Sequence, residues 1–301
     1  MNRFGRPVGP AARAGLLVAA ALLCAVAQGA EPARSVPAAA LYARYQELLP
    51  QLEHNPFGRA MQIESVQTDS SLTGAVSAVV QHPLAKVQSG LTLPLDWCKL
   101  LMLHINTQSC RIAAQPPGAV LKVGMGQKSV GPLAPVYPVE FEFRVVAASA
   151  DYFEVRLSAD HGPLATHDYR LAFAAVRLDD NRSFLRLSYS YGFGFAGRLA
   201  MQGYLATGGR NKIGFTVDGS AADGRPTYIG GTRGVVERNA MRYYLAIDVH
   251  LDSYAVPAPE QFEYAVNRWF DATERFARQL HELDRAAYLA KKRAEREQAA
   301  L

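Results

Sequence analysis

The sequence predicts an α+β fold in which a curved antiparallel sheet wraps around one long helix on the C-terminal side of the chain. Between residues 110 and 191, apolar and polar residues alternate, as in antiparallel strands with one buried and one solvated face. Residues 233–254 carry an apolar stripe at helical spacing. Two short helices, at residues 84–91 and 94–103, precede the main run of strands. Extra helices near both ends of the chain complete the predicted architecture.

The helix at residues 233–254 is the element around which the sheet is expected to close. Its apolar side consists of Val236, Ala240, Tyr243, Tyr244, Ile247, Leu251 and Tyr254. Its other side is predicted to be solvated and carries Glu237, Arg238, Arg242, Asp248 and Asp252. Because no other long helix is predicted among the strands, this one is expected to cover their apolar face.

The strands are predicted from alternation with period two. Phe141 and Phe143, for example, alternate with Glu140 and Glu142. The same pattern recurs at residues 121–126, 153–157, 169–173 and 185–191, after extended segments at residues 61–68 and 72–81. A short helix at residues 197–206 and a hairpin over residues 213–230 then lead into the long helix.

The N-terminal segment has the composition of a secretory signal peptide. Arg3, Arg6 and Arg13 precede an apolar run at residues 14–27, which ends in small residues suited to cleavage. This run is too short to span a bilayer comfortably. The sequence therefore predicts that residues 1–27 are cleaved and that the protein is periplasmic or secreted.

Charge and composition limit the remaining function classes. Removing residues 1–27 removes three arginines and no acid, so the formal net charge falls from +5 to +2. The basic character belongs largely to the signal segment, and a nucleic-acid partner is not predicted. A lipid anchor at Cys24 remains an alternative, although the residue before it is not small, as that signal requires.

One main domain with appendages is predicted, because 301 residues of which 49% are hydrophobic can bury one substantial core. A leader and helix at residues 28–56 precede the domain, which is expected to span residues 57–254. Residues 255–301 are predicted to form an amphipathic helix followed by a charged, solvated tail. The apolar stripe of that helix contains Phe262, Val266, Trp269, Phe270, Phe276, Leu280 and Leu283.

The mature chain keeps two cysteines, Cys98 and Cys110. In an oxidising compartment such a pair favours a disulfide that closes a short loop, which stabilises by about 3 kcal/mol in the loop-entropy model. Two buried free thiols are the alternative. A zinc site is not predicted, because His104 alone does not supply the further ligands that zinc needs.

The order of elements resembles the START-like, helix-grip superfamily (Bet v 1-type fold, SRPBCC), over residues 57–254. Local stretches resemble secreted bacterial proteins of that type, namely Gln81-His82-Pro83, Asp96-Trp97-Cys98, Gly162-Pro163-Leu164, Leu187-Ser188-Tyr189-Ser190-Tyr191 and residues 237–244. The resemblance implies a cavity between sheet and long helix, with a hydrophobic small molecule or lipid as ligand. It implies no particular activity.

The residues themselves are consistent with such a cavity. Six tyrosines fall on predicted inward positions, and a buried hydroxyl needs a hydrogen-bond partner that a dry core does not offer. The predicted ligand-binding residues are Phe141, Phe143, Val155, Leu157, Tyr169, Leu187, Tyr189, Tyr191, Tyr243, Tyr244, Ile247 and Leu251. The alternative is that the tyrosines reach the rim and bond to backbone or water.

Catalytic and metal-binding patterns are weak. His161 and His167 lie in a predicted loop with Gly and Pro between them, so no metal geometry is fixed. No G-x-S-x-G elbow occurs, and no cofactor is predicted. Glu237 is interpreted as an acid that the helix dipole favours at a helix start, and a ligand clamp or general acid formed by Glu237 and Arg238 is the alternative.

The leading hypothesis is therefore a carrier for a hydrophobic small molecule or lipid. The second hypothesis is an envelope interaction module with a packed core, whose helices at residues 38–52 and 260–290 engage another protein. An enzyme of the same fold is third. A buried histidine or carboxylate beside an inward tyrosine would strengthen that third hypothesis.

Overall fold

The computed structural model describes Met1 and residues 34–115, 118–126, 136–207 and 209–300. Apart from Met1, the predicted signal peptide lies outside the described residues. Residues 34–301 form one compact unit with its own hydrophobic core.

Eight strands form one antiparallel sheet. They are β1 (Met61–Gln67), β2 (Ser71–Val80), β3 (Thr107–Gln115), β4 (Gly118–Gly126), β5 (Val136–Ala148), β6 (Tyr152–His161), β7 (Thr166–Arg177) and β8 (Ser183–Phe193). Their order across the sheet is β1-β2-β8-β7-β6-β5-β4-β3. The chain thus builds a meander from β3 to β8 and closes it by pairing β8 with β2, which confirms the predicted antiparallel sheet.

The helices are α1 (Val36–Glu53), α2 (Leu84–Leu91), α3 (Pro94–Leu101), α4 (Phe195–Ala206), α5 (Gly231–Ser253), α6 (Gln261–Glu274), α7 (Ala277–Leu280) and α8 (Arg285–Ala300). A small hairpin of β9 (Val217–Ser220) and β10 (Pro226–Tyr228) lies between α4 and α5. Among the described residues, no helix combines the length and the apolar character that crossing a bilayer requires.

Helix α5 packs across β1, β2 and β8, as the stripe predicts. Val236, Ala240, Ile247 and Leu251 are completely buried there. The close approach depends on Gly74 in β2, since a Cβ at that position would lie 2.9 Å from the carbonyl oxygen of Val236. The predicted α+β fold, with a sheet gripping one long helix, is confirmed.

The prediction that the charged side of α5 is solvated is wrong near its start. Glu237, Arg238 and Arg242 are almost completely buried. Helix α6 packs along α5, where the indole Nε1 of Trp269 donates a hydrogen bond to the carbonyl oxygen of Arg242 at 3.3 Å. Residues 213–216 cover the first turns of α5, where Ile213 accepts from Arg238 and Phe215 donates to Glu237. They also extend the predicted hairpin, through hydrogen bonds of Gly214 and Thr216 with Ile229.

The C-terminal region also differs from the prediction of one long helix and a solvated tail. Helix α6 ends at Glu274, because Phe276 leaves the helical conformation and packs against Phe57 and Phe215 at ring distances of 6.1 and 5.6 Å. Helix α8 then packs against β3, and its Tyr288 hydroxyl donates to the carbonyl oxygen of Leu103 at 3.0 Å. The charged tail is therefore a docked helix.

The remaining helices brace the two sides of the sheet. Helix α1 covers the face opposite α5, where its Leu41, Leu48 and Leu52 form a second cluster with Val176 and Phe184. On the α5 side, the predicted disulfide between Cys98 and Cys110 is present, with Cα atoms 5.3 Å apart, and it ties α3 to β3. The predicted helices at residues 38–52, 84–91 and 94–103 are thus confirmed within a few residues.

Candidate functional site

Four tyrosines from β7, β8 and α5 pack together between the sheet and the N-terminal half of α5. This tyrosine cluster consists of Tyr169, Tyr189, Tyr191 and Tyr243. The rings of Tyr169 and Tyr191 are stacked with centroids 5.3 Å apart, and Tyr189 lies 5.7 Å from Tyr191 and 5.3 Å from Tyr243. The alternation of β7 and β8 aims three of the rings inward, and α5 supplies the fourth.

The hydroxyls of the tyrosine cluster differ in their partners. Tyr169 shares a hydrogen bond of 2.7 Å with the Thr166 hydroxyl. Within the described part of the chain, no group forms a hydrogen bond with the hydroxyl of Tyr189, Tyr191 or Tyr243. Burial raises the pKa of these three phenols above its ordinary value, so they remain neutral donors.

A buried hydroxyl without a partner costs about 1–3 kcal/mol. The hydroxyl oxygens of Tyr189, Tyr191 and Tyr243 are not fully enclosed, so water or a ligand can reach them and complete their hydrogen bonds. The exposed fractions agree with this, since Tyr189, Tyr191 and Tyr243 keep 5%, 4% and 6% of their surface, whereas Leu187 and Ile247 keep none.

A cavity of about 270 Å³ opens at this end of α5. Its apolar wall is formed by Leu72, Tyr191, Phe193 and Met201. The other lining residues are mostly polar and lie around its rim, namely Gln67, Thr68, Asp69, Thr166, Gly197, Arg198, Gln202 and Thr232. Tyr191 joins the cavity to the tyrosine cluster, so the two form one candidate site.

The rim is held by contacts between elements that are distant in sequence. The Thr232 hydroxyl at the start of α5 donates to the Gln67 side chain at the end of β1. The Arg198 guanidinium on α4 donates to the carbonyl oxygen of Asp69. The first contact joins α5 to β1, and the second holds α4 against the turn between β1 and β2, so α4 forms the outer wall of the cavity.

The structure brings only part of the predicted ligand set to this site. Of the twelve predicted residues, Tyr191 alone lines the cavity, and Tyr169, Tyr189 and Tyr243 adjoin it through the tyrosine cluster. Phe141 contacts the cluster, with its ring 6.3 Å from that of Tyr169. A ligand contact by any of these residues remains a prediction.

The other seven predicted residues lie outside the cavity lining. Beneath the C-terminal half of α5, Trp97 packs against Phe143 and Phe173 at ring distances of 6.5 and 6.2 Å. That buried core contains Phe143, Val155, Leu157, Leu187, Ile247 and Leu251. Tyr244 instead packs near the Arg59 guanidinium, 5.0 Å from its ring. The cavity that Tyr191 lines lies at the N-terminal end of α5.

Sequence reasoning missed the residues that α4 contributes. Gly197, Arg198, Met201 and Gln202 line the cavity, although a helix at residues 197–206 was predicted without a role. Only the composition could have indicated a role for α4. Residues 181–217 contain no acid, and apolar residues occur on both sides of α4. Nothing local marks Gln67 as facing the same space.

The structure also shows a histidine beside an inward tyrosine, the feature that would favour an enzyme. His104 is buried and stacks on Tyr243 with ring centroids 4.8 Å apart. Its Nδ1 atom accepts a hydrogen bond from the backbone N–H of Asn106 at 3.2 Å, so this nitrogen is not available to accept a proton from a ligand. His104 therefore packs against the tyrosine cluster and does not line the cavity.

A second acid–base cluster lies at the opposite end of α5. The Tyr254 hydroxyl donates to Asp96 at 2.8 Å, and His250 Nε2 lies 3.0 Å from the carbonyl oxygen of Gly90. These bonds join α2 and α3 to the end of α5, and burial lowers the pKa of His250 despite the nearby carboxylate. Tyr254, which was also predicted to face inward, thus makes a structural contact away from the cavity.

The weak metal pattern at residues 160–168 forms no centre. His161 and His167 face each other across the hairpin of β6 and β7, and His167 Nδ1 pairs with Asp168 at 2.7 Å. Within the described ranges, no group of three or more His, Cys, Asp or Glu residues could hold a metal ion. This stretch is strand and tight turn, not the open loop expected from its Gly and Pro.

Comparison with known proteins leaves the family open. No family model and no curated protein matches the sequence. Solved structures that are similar to the chain include human StAR-related lipid transfer protein 5, at 10% identity and a TM-score of 0.36, covering 73% of this chain and 99% of that one. A START superfamily protein from Mycobacterium smegmatis is similar at 11% identity and a TM-score of 0.32, covering 46% and 92%. Norcoclaurine synthase from Thalictrum flavum is similar at 15% identity and a TM-score of 0.34, covering 47% and 89%.

Similarities of this size carry no statement about what the chain binds. The fold assignment rests on the strand order and on the position of α5.

Proposed function

We propose that this protein is a non-enzymatic binding or carrier protein for a hydrophobic small molecule or lipid. The ligand lies in the cavity at the N-terminal end of α5, between β8, α4 and the tyrosine cluster. The observation that carries this proposal is the apolar-walled cavity beside tyrosine hydroxyls that are not fully enclosed. We further propose that the protein acts in the periplasm or outside the cell, after loss of residues 1–27.

The lining defines the chemistry of the ligand. Leu72, Phe193 and Met201 offer an apolar wall, and neutral tyrosine hydroxyls offer hydrogen-bond donors at its inner end. A ligand pocket typically has a volume of about 300–1,000 Å³. At about 270 Å³, this cavity fits one small apolar molecule, or one chain of a larger lipid, that carries an oxygen acceptor.

An enzymatic role has less support from the described residues. The ionisable groups near the site are engaged in structural contacts, since Glu237 accepts hydrogen bonds from three residues and His104 is fixed by Asn106. The apolar side of α6 is not available to an envelope partner, because Trp269 and Phe270 are buried in the core. Such a partner would have to use other surfaces of α6 and α8.

The proposal is tested by filling the cavity. Met201→Trp adds bulk to its apolar wall, and we expect the affinity for an anthroyloxy-labelled fatty acid to fall by at least roughly tenfold. Leu93→Trp is the matched control, because it places the same indole at an exposed position outside the cavity lining. Fluorescence titration of residues 28–301 measures both. Equal affinity of the two variants would locate the ligand elsewhere.

A further inference from the structure

Helix α4 exposes large apolar side chains on the surface outside the cavity. Phe195 is 84% exposed and Leu199 is 60% exposed. Residues four apart share one face of a helix, so these two side chains form a single apolar face. Because α4 is also the outer wall of the cavity, this face lies directly outside the candidate site.

A third apolar side chain is presented by the turn between β6 and β7. Leu164 is 59% exposed, and it lies in the short helical turn Pro163–Ala165. A Cβ at Gly197 would lie 3.4 Å from the carbonyl oxygen of Leu164, so α4 packs closely on this turn. Phe195, Leu199 and Leu164 are therefore neighbouring parts of one surface, which we call the apolar rim.

The turn keeps a backbone conformation that its residues disfavour. Leu164, Ala165 and Asp168 have φ angles of 57°, 58° and 52°, in the left-handed region that non-glycine residues rarely adopt. Hydrogen bonds hold it, including that from the backbone N–H of Gly162 to the carbonyl oxygen of Thr166 at 2.9 Å. Strained backbone that surrounding contacts preserve often accompanies function. Here it holds Leu164 toward solvent.

The charge around the apolar rim is basic. Residues 195–217 contain Arg198, Arg210 and Lys212 and no acid. Arg198 and Arg210 are exposed, whereas Lys212 pairs with Glu282 at 3.1 Å. Acids outside this segment include Asp218, which follows it directly, Asp69, whose carbonyl oxygen Arg198 contacts, and Asp168, which pairs with His167 and Arg170.

We propose that the apolar rim docks the protein on an anionic lipid bilayer. Phe195, Leu199 and Leu164 would enter the interface, and Arg210 would face the lipid phosphates. A bilayer fits better than a protein partner, because exposed aromatic and aliphatic side chains lie beside cations on the wall of a cavity with apolar lining. The docking surface does not depend on what the cavity holds.

Vesicle flotation of residues 28–301 tests the proposal, since residues 34–301 form a compact unit and the fragment lacks the apolar run at residues 14–27. Vesicles of equal parts phosphatidylglycerol and phosphatidylcholine should bind the wild type. The double variant Phe195→Ser/Leu199→Ser should bind at least roughly tenfold more weakly. Arg210→Gln should weaken binding by about fivefold on these vesicles and not on pure phosphatidylcholine.

The double variant Leu93→Ser/Leu95→Ser is the matched control, because both leucines are exposed at the start of α3, outside the apolar rim. It should bind vesicles as the wild type does, and thermal melts should show that all variants fold. Equal vesicle binding by the α4 variant and the control would overturn the proposal. So would a wild-type dimer in sedimentation velocity that Phe195→Ser/Leu199→Ser dissociates, since the rim would then contact a second copy. Fatty-acid probe affinity, measured in parallel, reports separately on the cavity.

Discussion

Glu237→Ala is expected to lower the free energy of unfolding by about 3–5 kcal/mol, because it removes a buried carboxylate that joins three parts of the chain. That carboxylate accepts hydrogen bonds from the Ser65 hydroxyl at 2.6 Å and the Thr216 hydroxyl at 2.7 Å. It also accepts from the backbone N–H groups of Phe215 at 2.7 Å and Thr216 at 2.9 Å. In the alanine variant all four donors lose their acceptor.

Urea denaturation measures this effect. Glu297→Ala is the control, because Glu297 lies on an exposed face of α8. Glu237→Gln keeps one acceptor oxygen and should lose about half as much stability as Glu237→Ala. If the free energies of unfolding of Glu237→Ala and the control differ by less than about 0.5 kcal/mol, the hydrogen bonds to Glu237 do not hold the start of α5.

Lys292 should make the stability of the protein depend on pH above neutrality. Its ammonium is completely buried and donates to the carbonyl oxygens of His104 at 2.8 Å and Thr107 at 2.9 Å, and to Glu295 at 2.9 Å. Burial lowers the pKa of Lys292 from 10.5 to about 8, although Glu295 opposes this shift. Lys291 also pairs with Glu295, at 2.9 Å.

The direction of this pH dependence follows from the number of protons that the folded and unfolded chains bind. Between about pH 8 and 10.5 the unfolded chain keeps a proton on Lys292 that the folded chain has released. Stability should therefore rise with pH across this window, by up to about 3 kcal/mol from this group. Lys292→Met should lack that rise, and Lys122→Met, at an exposed lysine, should keep it. Urea denaturation at several pH values measures the difference, and parallel curves for wild type and Lys292→Met would contradict it.

The sequence was sufficient to predict the sheet and the helix that it grips. Period-two alternation identified most strands, and the buried Val236, Ala240, Ile247 and Leu251 follow the predicted stripe. Both patterns are local consequences of burying one face of a strand or helix. The sequence favoured the disulfide between Cys98 and Cys110 over two free thiols, and the structure contains it.

Local sequence patterns could not predict which charged side chains are buried. Glu237 and Arg242 look like members of a solvated face, because their partners Ser65, Thr216 and Glu282 are remote in sequence. The burial of Lys292 could not be predicted for the same reason, since its partners include a carbonyl group 185 residues earlier in the chain. Burial of a charge depends on satisfying it with such partners, which only the tertiary structure supplies.

The position of the cavity was likewise beyond the sequence pattern. The stripe of α5 predicts contact with the sheet along its whole length, but it does not predict where side chains fill the space. Trp97 and Phe173 occupy the region beneath the C-terminal half of the helix, whereas the tyrosine cluster occupies the other half. The volume that remains depends on how side chains from several elements interdigitate.

Native mass spectrometry of the full chain, expressed with residues 1–27 and recovered after export, tests the central claim most directly. The account predicts the mass of residues 28–301 with one disulfide, plus a bound hydrophobic molecule that dissociates as a single species. Met201→Trp should lose that adduct and Leu93→Trp should keep it. A bare mass in every preparation, together with no uptake of labelled fatty acid or sterol, would contradict the account.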